Sequence, residues 1–338
     1  MTAQLPQNLG SANTGLFFGF RVSNVTLGMG MLALAHVIFS TQDVLIKLLA
    51  DHYPVHELVM ARSLIAVWPM ILMSWIIDQG RGLQLSRPGW QLVRALILAT
   101  SFTTYYLAFA SLTLAQATSL FFSAPLFITL ISWATGAGDV GWRRLVGIAL
   151  GFVGVLVMIR PEANIPVVPA LFAVTAAVCY AIAAVMTSWL GKTESATSMS
   201  LVFIFVNLMI GIAMLMIFGD GWAVDHVSPS LEFLVRAWAW PSREHLYIFV
   251  AIGVFSVFGF LLLAQAYRLA PSHVAAPMEY SLLIYNMGWS VLYFGEILDN
   301  WTLVGTAMIV GSGLFVLYRE GERGTSLVKR FWRPRRVR

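Results

Sequence analysis

The chain has few charged residues and almost no cysteine. Only 11% of its 338 residues are charged, against about 25% in soluble globular proteins. This scarcity argues against a soluble enzyme. Because Cys179 is the only cysteine, the chain can form neither an intramolecular disulfide nor a cysteine-based metal cluster.

Apolar residues make up 59% of the chain, and they occur in blocks of about 20. A helix of that length crosses a hydrocarbon layer of about 30 Å. The sequence therefore predicts an all-α polytopic membrane protein with ten transmembrane helices. The predicted spans are 27–49, 58–78, 92–111, 117–135, 142–160, 168–190, 198–218, 246–268, 273–294 and 300–318. Residues 1–26 lack a basic start, so we expect the first span to be retained rather than cleaved as a signal peptide.

Basic residues mark one side of the predicted bundle. If residues 1–26 are cytoplasmic, most of the 21 lysines and arginines fall in inner loops or in the basic tail 319–338. The outer segments then hold only Arg160, Arg236 and Arg243. The positive-inside rule places both termini in the cytoplasm of a bacterial-type inner membrane. Since these charges are a topology signal, we expect no nucleic-acid partner.

The predicted outer loop 219–245 is longer than the other connections. Within it, four apolar residues recur at helical spacing opposite Glu232 and Arg236, behind Ser228 as a cap and Pro229. The four are Leu231, Leu234, Val235 and Trp238. Two interpretations are open, an amphipathic helix lying on the outer surface and an irregular ordered loop.

The two halves of the chain resemble each other. Residues 145–149 (Leu-Val-Gly-Ile-Ala) begin span five as residues 303–307 (Leu-Val-Gly-Thr-Ala) begin span ten, and a glycine-bearing apolar helix follows each. An odd number of helices per repeat inverts the second copy. The sequence predicts two inverted five-helix repeats, 27–160 and 168–318, around a binding site near the membrane midplane. We expect the glycines of spans five and ten to serve helix packing or a homodimer interface.

Short motifs occupy characteristic places in this repeat. They are the Gly295-Glu296 pair that closes span nine, the Leu-Val-Gly start of span ten, the Arg160-Pro161 end of the first half, and the early segments Asp43 to Lys47, Tyr53-Pro54 and Arg62-Ser63. In this combination the chain resembles the EamA-type proteins of the drug/metabolite transporter superfamily over about residues 27–318. The resemblance implies a ten-helix secondary carrier that exports or exchanges small metabolites. The first half departs from the pattern, with Gly138-Asp139 in the place of a Gly-Glu pair.

Span one carries a polar stripe. His36, Ser40, Asp43 and Lys47 fall at helical spacing and should face the bundle interior, where ionisable groups are costly and commonly functional. Arg62 of span two lies at a similar depth to Asp43. One interpretation is a structural Asp43–Arg62 ion pair with Lys47 extended to the outer interface. The other makes Arg62 and Lys47 an anchor for an anionic group of the substrate. His36 is either a hydrogen-bonded packing residue or a proton carrier.

Span nine supplies an opposing polar face. Its members are Glu279, Asn286, Ser290 and Tyr293. Pro277 should interrupt or kink the first turns of this span, and a broken helix lining a cavity is a recognised form of carrier site. Glu279 is the best candidate for carrying a coupling proton. The alternative is a structural pairing of Glu279 with Arg268 or His273.

Aromatic side chains are candidates for lining a pocket for a planar or cationic solute, and packing or lipid contact is the alternative. They are Trp68, Tyr105, Tyr106, Tyr280, Tyr285 and Trp289. Together with the polar faces, they give the candidate substrate-binding or coupling residues His36, Asp43, Lys47, Arg62, Tyr105, Glu279, Tyr280, Asn286 and Trp289.

These features favour a secondary active transporter that moves a small polar metabolite by alternating access, coupled to protons or to exchange. One alternative is an intramembrane enzyme acting on lipid, but His56-Glu57 lacks the second histidine of the zinc-protease motif and no nucleophile-elbow or P-loop motif occurs. Another is a non-transporting membrane partner protein, which would not need the polar stripe. The expected partners are a small-molecule substrate, the lipid bilayer and protons, with a homodimer left open. No cofactor, metal or catalytic residue is expected.

Overall fold

The fold is described here from a computed structural model that covers residues 14–17, 20–80, 84–135, 142–159, 167–227, 229–270, 272–296, 299–312 and 314–315. It opens with a short antiparallel hairpin of β1 (Thr14–Phe17) and β2 (Phe20–Ser23). No strand was predicted in this part of the chain. Arg160, Gly138-Asp139 and the basic tail 319–338 lie outside the described residues.

Helices account for nearly all of the remaining described chain. They are α1 (Asn24–Ala50), α2 (Val55–Asp78), α3 (Pro88–Phe109), α4 (Leu114–Phe121), α5 (Ala124–Ala134), α6 (Trp142–Ile159), α7 (Val167–Leu190), α8 (Ala196–Phe218), α9 (Pro229–Val235), α10 (Arg243–Leu269) and α11 (Ser272–Leu292), and residues 300–312 are also helical.

The architecture is that of a polytopic membrane protein. Within the described ranges, seven helical stretches are long and apolar enough to span a membrane: α1, α2, α3, Leu114–Ala134, α7, α8 and α10. The other three predicted spans overlap α6, α11 and the helical segment 300–312.

The predicted span 117–135 is divided into two helices. A capping box starts α4, in which Thr113 accepts a hydrogen bond from the Gln116 amide and the Gln116 side chain accepts one from the Thr113 amide. Helix α4 ends at Phe121, and a turn at Phe122 and Ser123 leads to Pro125 in the first turn of α5. Proline fits a first turn because the amide hydrogen that it lacks has no helical partner there. The predicted interruption of span nine at Pro277 is wrong, because α11 is helical without a break from Ser272 to Leu292.

The helices pack in a reciprocal pattern. Helix α1 packs against α10 and α11, whereas α7 packs against α3 and the α4–α5 pair. Helix α2 lies against α8 and α10, and α3 also contacts α8. One large hydrophobic core runs through these contacts and includes the fully buried Leu32, Leu58, Tyr106 and Phe203.

The two ends of the bundle are called face A and face B below. Face A carries the α1–α2 corner at residues 51–54, helix α9, the segment 236–242 and Glu296. Face B carries residues 84–87, the α7–α8 connection at 191–195 and Ala270. Hydrogen bonds between neighbouring connections define both ends, such as Ser242 to the Tyr53 hydroxyl on face A and Arg87 to Glu194 on face B.

The long loop 219–245 contains a helix shorter than the amphipathic one considered from the sequence. Helix α9 ends at Val235, so Trp238 lies beyond it in a segment without regular secondary structure. Arg236 donates hydrogen bonds to the carbonyl oxygens of Ala50 and Asp51, and Phe233 is buried. The loop is therefore fastened to the α1–α2 corner. Ser228, the expected cap, lies outside the described residues.

Candidate functional site

A narrow cavity lies in the middle of the bundle, between α1, α3, α4, α7 and α11. It is lined by His36, Phe39, Asp43, Ser101, Phe102, Tyr105, Phe121, Tyr180, Glu279 and Leu282. Three of these side chains, His36, Asp43 and Glu279, are ionisable, and each residue is at most 3% exposed. The three ionisable side chains are therefore almost completely shielded from solvent in this conformation. We call it the central cavity.

The polar stripe of span one is only partly on the cavity wall. His36 and Asp43 are seven residues apart and lie on the same face of α1 because seven residues make about two turns. Ser40 is also buried, and its hydroxyl has no hydrogen-bond partner in the described part of the chain. Lys47, one turn further, leaves the cavity and reaches face A.

Asp43 belongs to a hydrogen-bonded cluster near the face A end of the cavity. Its Oδ2 accepts a hydrogen bond of 2.9 Å from Nδ2 of Asn286 and one of 3.4 Å from the Tyr105 hydroxyl. Thr118 Oγ1 lies 2.9 Å from both the Tyr105 hydroxyl and Asn286 Nδ2. Helices α1, α3, α4 and α11 therefore meet at one carboxylate. Thr118 had not been considered from the sequence.

Glu279 forms a second cluster, in the middle of the bundle. Its Oε2 lies 3.4 Å from Nε2 of His36, and its Oε1 accepts hydrogen bonds from the hydroxyls of Tyr180 and Tyr267. His36 Nδ1 lies 2.9 Å from the hydroxyl of Ser281. Chains of histidine and carboxylate side chains inside membrane proteins commonly carry protons. The arrangement can hold and transfer a proton between α1 and α11.

The considered pairing of Glu279 with Arg268 is wrong. Arg268 is exposed, and its guanidinium donates to the Gly191 carbonyl and to Gln265. The side chain points to the surface because it lies near the face B end of α10, where water solvates the charge. The side chain of His273, the other considered partner, lies outside the described part of the chain.

The considered Asp43–Arg62 ion pair is also absent. No guanidinium nitrogen of Arg62 lies within 4.0 Å of the Asp43 carboxylate, although both residues are described. Instead Arg62 Nη1 donates to the Tyr106 hydroxyl, and the guanidinium carbon lies 5.1–5.6 Å from the ring centroids of Phe102, Tyr106 and Phe260. Cation–π contacts at such distances stabilise a desolvated arginine. Arg62 is buried behind the cavity wall rather than on it.

Lys47 pairs with the second residue of the Gly295-Glu296 motif. Its Nζ lies 2.9 Å from Oε1 of Glu296 and donates to the Leu112 carbonyl at 3.1 Å. Ser290 donates to the other oxygen of Glu296. The two charged side chains are only 15% and 17% exposed. They connect α1 to the end of α11 above the Asp43 cluster.

The aromatic candidates lie in different places, and only one of them lines the central cavity. Tyr105 lines the central cavity and Tyr106 holds Arg62. Tyr280 stacks on Phe122 with ring centroids 5.4 Å apart and does not reach the cavity. Trp68 and Trp289 are 70% and 36% exposed, on the outer surface of the bundle. The pocket role considered for Trp68 and Trp289 is therefore wrong, because both rings lie on the outer surface and neither lines the central cavity. Tyr285 is half-buried and does not line it either.

Tyr180 was not among the predicted site residues, although it lines the central cavity and its hydroxyl donates a hydrogen bond to Glu279. A usable signal existed, because Tyr180 is the only tyrosine in a helix face made of small residues. Its neighbours on that buried face are Ala173, Ala176, Ala177, Ala183 and Ala184. A single polar aromatic ring among alanines has room to project into a shared cavity.

The cavity offers acidic, imidazole and hydroxyl groups but no metal-binding set. Among the residues that the structure describes, no group of three histidine, cysteine or carboxylate side chains is placed to hold a metal ion. What the arrangement can do is hold a polar solute between two carboxylates and aromatic rings, and move a proton at His36 and Glu279.

Comparison with known proteins agrees with this architecture. The model of the EamA-like transporter family matches residues 26–160 and 168–318. The chain is 25% identical over 298 residues to the S-adenosylmethionine uptake transporter of Rickettsia bellii (strain RML369-C), covering 87% of this chain and 94% of that protein. It is 28% identical over 291 residues to the pseudopaline exporter CntI of Pseudomonas aeruginosa (strain UCBPP-PA14), covering 84% and 93%.

The fold has also been observed before. A crystal structure with a TM-score of 0.60 and 17% sequence identity covers 88% of this chain and 96% of that one. The apolar helices and the bacterial transporter relatives together indicate a multi-pass protein of a bacterial inner membrane. Both matched segments, which include nearly all of the described helices, identify the chain as a member of the EamA-like transporter family.

Proposed function

We propose that the protein is a secondary active transporter that moves a small polar metabolite by alternating access, coupled to protons or to exchange. The observation that carries the proposal is the contact of His36 with Glu279, both buried, in the wall of the central cavity. A buried acid and imidazole serve no structural need that apolar residues would not meet more cheaply. They suit a site that must bind and release a charged group.

Reciprocal helix packing supports two inverted five-helix halves, 27–160 and 168–318. If α1, α3 and α4–α5 correspond to α7, α10 and α11, the packing of α1 on α10 corresponds to that of α7 on α3. The packing of α1 on α11 likewise corresponds to that of α7 on α4–α5. A twofold axis in the membrane plane exchanges the two halves, so each contact between a first-half helix and a second-half helix must have a counterpart with the halves exchanged. In this proposal residues 1–26 and the tail 319–338 are cytoplasmic.

Contacts between the proposed halves close the cavity at both faces. On face A the Lys47–Glu296 ion pair joins α1 to the end of α11. On face B the backbone amide of Arg87 donates to Glu194, and Gln91 donates to Ser198. Alternating access then consists of breaking one set while the other remains formed.

Coupling in this proposal uses Glu279. A proton on its carboxyl group removes the attraction to His36, and loss of that proton restores it. The two named relatives transport in opposite directions, since one is an uptake transporter and the other an exporter. Both names describe metabolite-sized solutes, which supports a small polar substrate here.

Reconstitution tests the proposal. The purified protein is screened by thermal shift against metabolite pools, and the best ligand is then loaded into liposomes for counterflow. We expect saturable counterflow in the wild type and a reduction of about tenfold or more in Asp43→Asn, which keeps hydrogen-bonding capacity but removes the charge. Ser40→Ala, one turn away on the same helix, is the matched control and should be silent. Absence of any stabilising or transported ligand would favour the non-transporting alternative.

A further inference from the structure

A second cavity lies between the central cavity and face B. It is enclosed by α3, α7, α8 and α10, and Tyr180 is common to both cavities. Its wall consists of Arg94, Leu98, Tyr180, Ala183, Ala184, Thr187, Ser200, Phe203, Phe260, Leu263, Ala264 and Tyr267. We call it the Arg94 cavity, because Arg94 is the one charged residue in this wall.

Arg94 is a buried cation without an acidic partner. Its Nε donates to the hydroxyl of Thr187 at 2.7 Å, and its Nη1 donates to the Met199 carbonyl at 3.2 Å. No carboxylate of a described residue lies within 4.0 Å of it. These two hydrogen bonds use two of the five N–H groups of the guanidinium. An arginine buried without a counter-ion is expensive, and its free N–H groups match a carboxylate.

A hydrogen-bonded partition separates the two cavities. The hydroxyls of Tyr180 and Tyr267 both donate to Oε1 of Glu279, and both rings line the Arg94 cavity. The acidic groups Asp43 and Glu279 lie on the other side, in the central cavity. A positive site and a negative site therefore face each other across two tyrosines that a single carboxylate holds in place.

The spacing along α3 sets the size of a ligand that reaches both sites. Arg94 lines one cavity and Ser101 the other. Seven residues separate them, which corresponds to about 10 Å along the helix. A ligand that contacts Arg94 while its other end remains beside Glu279 must therefore be elongated.

We propose that Arg94 is an anion subsite and that the substrate is an elongated bipolar ion. Its carboxylate binds Arg94, and its cationic group stays between Asp43 and Glu279. This inference rests on the proposed transport function. Occupation requires the Tyr180 and Tyr267 rings to move apart, because their hydrogen bonds to Glu279 close the path between the cavities.

A series of terminal amino acids tests the subsite. The probes are glycine, aminobutyrate, aminohexanoate and aminooctanoate, each with its amino group on the terminal carbon. Octylamine and octanoate, which carry only one charge each, are the reference compounds. Binding to purified full-length protein is measured by equilibrium dialysis. We expect affinity to rise with chain length, and aminooctanoate to bind about tenfold or more tightly than octylamine, because a charge-assisted hydrogen bond is gained. Equal affinity for these two probes would overturn the proposal.

Variants assign the gain to Arg94. Arg94→Gln should remove the preference for aminooctanoate and leave octylamine binding unchanged. Arg94→Lys, which keeps the charge, should retain part of the preference and serves if the glutamine variant does not fold. Arg268→Gln, an exposed arginine near the same face, is the control and should behave as the wild type. If Arg94→Gln and Arg94→Lys both keep the full preference, the subsite is elsewhere.

The binding and counterflow results together distinguish failure of the Arg94 subsite from failure of the proposed transport function. Selective binding of aminooctanoate without counterflow of any metabolite would retain the subsite and remove the transport function. Counterflow of a metabolite at the same rate and affinity in wild type and Arg94→Gln would retain transport and remove the subsite.

Discussion

His36 Nε2 lies 3.4 Å from Oε2 of Glu279, and this contact joins α1 to α11 at the centre of the bundle. The other carboxylate oxygen is held by the hydroxyls of Tyr180 and Tyr267. One carboxylate thus connects three helices besides its own. In the proposed transport function, a change in the protonation of Glu279 alters the attraction between α1 and α11 and the anchoring of both tyrosines at once, and this is how it would couple a proton to a conformational change.

Replacing Glu279 with glutamine should uncouple transport from the proton gradient. The amide still accepts hydrogen bonds from tyrosine but cannot exchange a proton, so we expect Glu279→Gln to retain counterflow and to lose accumulation driven by a pH gradient. Both are measured in the same liposomes with the ligand found by screening.

The neighbouring Tyr280 provides the control for that experiment. It is buried, and its hydroxyl has no hydrogen-bond partner in the described ranges. Tyr280→Phe should therefore leave both activities within about twofold of the wild type, a difference of roughly 0.4 kcal/mol. Accumulation that persists in Glu279→Gln would show that the coupling proton binds elsewhere.

The Lys47–Glu296 pair should act as a closure of face A. We expect Lys47→Gln or Glu296→Gln to open the central cavity more often and to raise labelling of a cysteine at Leu282 about two- to fivefold, since a partly exposed ion pair contributes up to about 1 kcal/mol. The label is a membrane-impermeant maleimide in a Cys179→Ala background, which removes the only native thiol.

Two further variants make the labelling result specific. The double variant should label no faster than the stronger single variant, because both changes remove one interaction. Glu232→Gln removes an ion pair with Arg236 on the same face that does not join α1 to α11, and it should leave labelling unchanged. An additive double variant would contradict a shared closure.

Acidification should weaken the start of the last helical segment. Partial burial raises the pKa of Asp299, but hydrogen bonds from Thr302 and the Trp301 amide outweigh it and hold the pKa below its usual value. A carboxyl group whose pKa is lower in the folded state than in the unfolded state stabilises the fold. This stabilisation is fully present at pH values above the unfolded-state pKa of about 3.9, and it is lost as the pH falls through the folded-state pKa. The protection factor of the Thr302 amide, which is the intrinsic exchange rate at each pH divided by the observed rate, should fall below about pH 4 in the wild type. In Asp299→Asn, which does not titrate, the protection factor should stay constant over that range.

Sequence periodicity located the polar groups but not their partners. Spacing alone placed His36 and Asp43 on one face of α1 and Glu279 and Asn286 on one face of α11, and these residues do meet. The partners of Arg62 depend on how α2 is rotated about its axis where it packs against α10. The sequence of α2 alone does not determine that rotation. Three aromatic rings that come from other helices replaced the expected carboxylate.

Arg94 shows a second limit of sequence reasoning. In the sequence it counts as one of the basic residues that mark the inner loops, and the predicted span begins only two residues before it. The structure starts α3 at Pro88, so Arg94 falls nearly two turns inside the helix and is buried. An error of four residues in one boundary thus hid a charged residue of the bundle interior.

The contact of α6 with the segment 300–312 should depend on two glycines. A Cβ atom on Gly154 would lie 2.9 Å from the Gly305 carbonyl oxygen and 2.9 Å from Cβ of Met308, so the backbones would have to separate. We expect Gly154→Ala to lower the unfolding free energy by about 1–3 kcal/mol, measured by thermal or denaturant unfolding in detergent.

Gly311 is the matched control for this change, because a Cβ atom there meets no atom within 4 Å and alanine favours a helix. Gly311→Ala should therefore be neutral or slightly stabilising. The pair also separates the two roles considered for these glycines, since Gly154 and Gly305 contact each other within one chain. If Gly154→Ala changed the oligomeric state and left the unfolding free energy unchanged, the glycines would form a dimer interface instead of an internal contact.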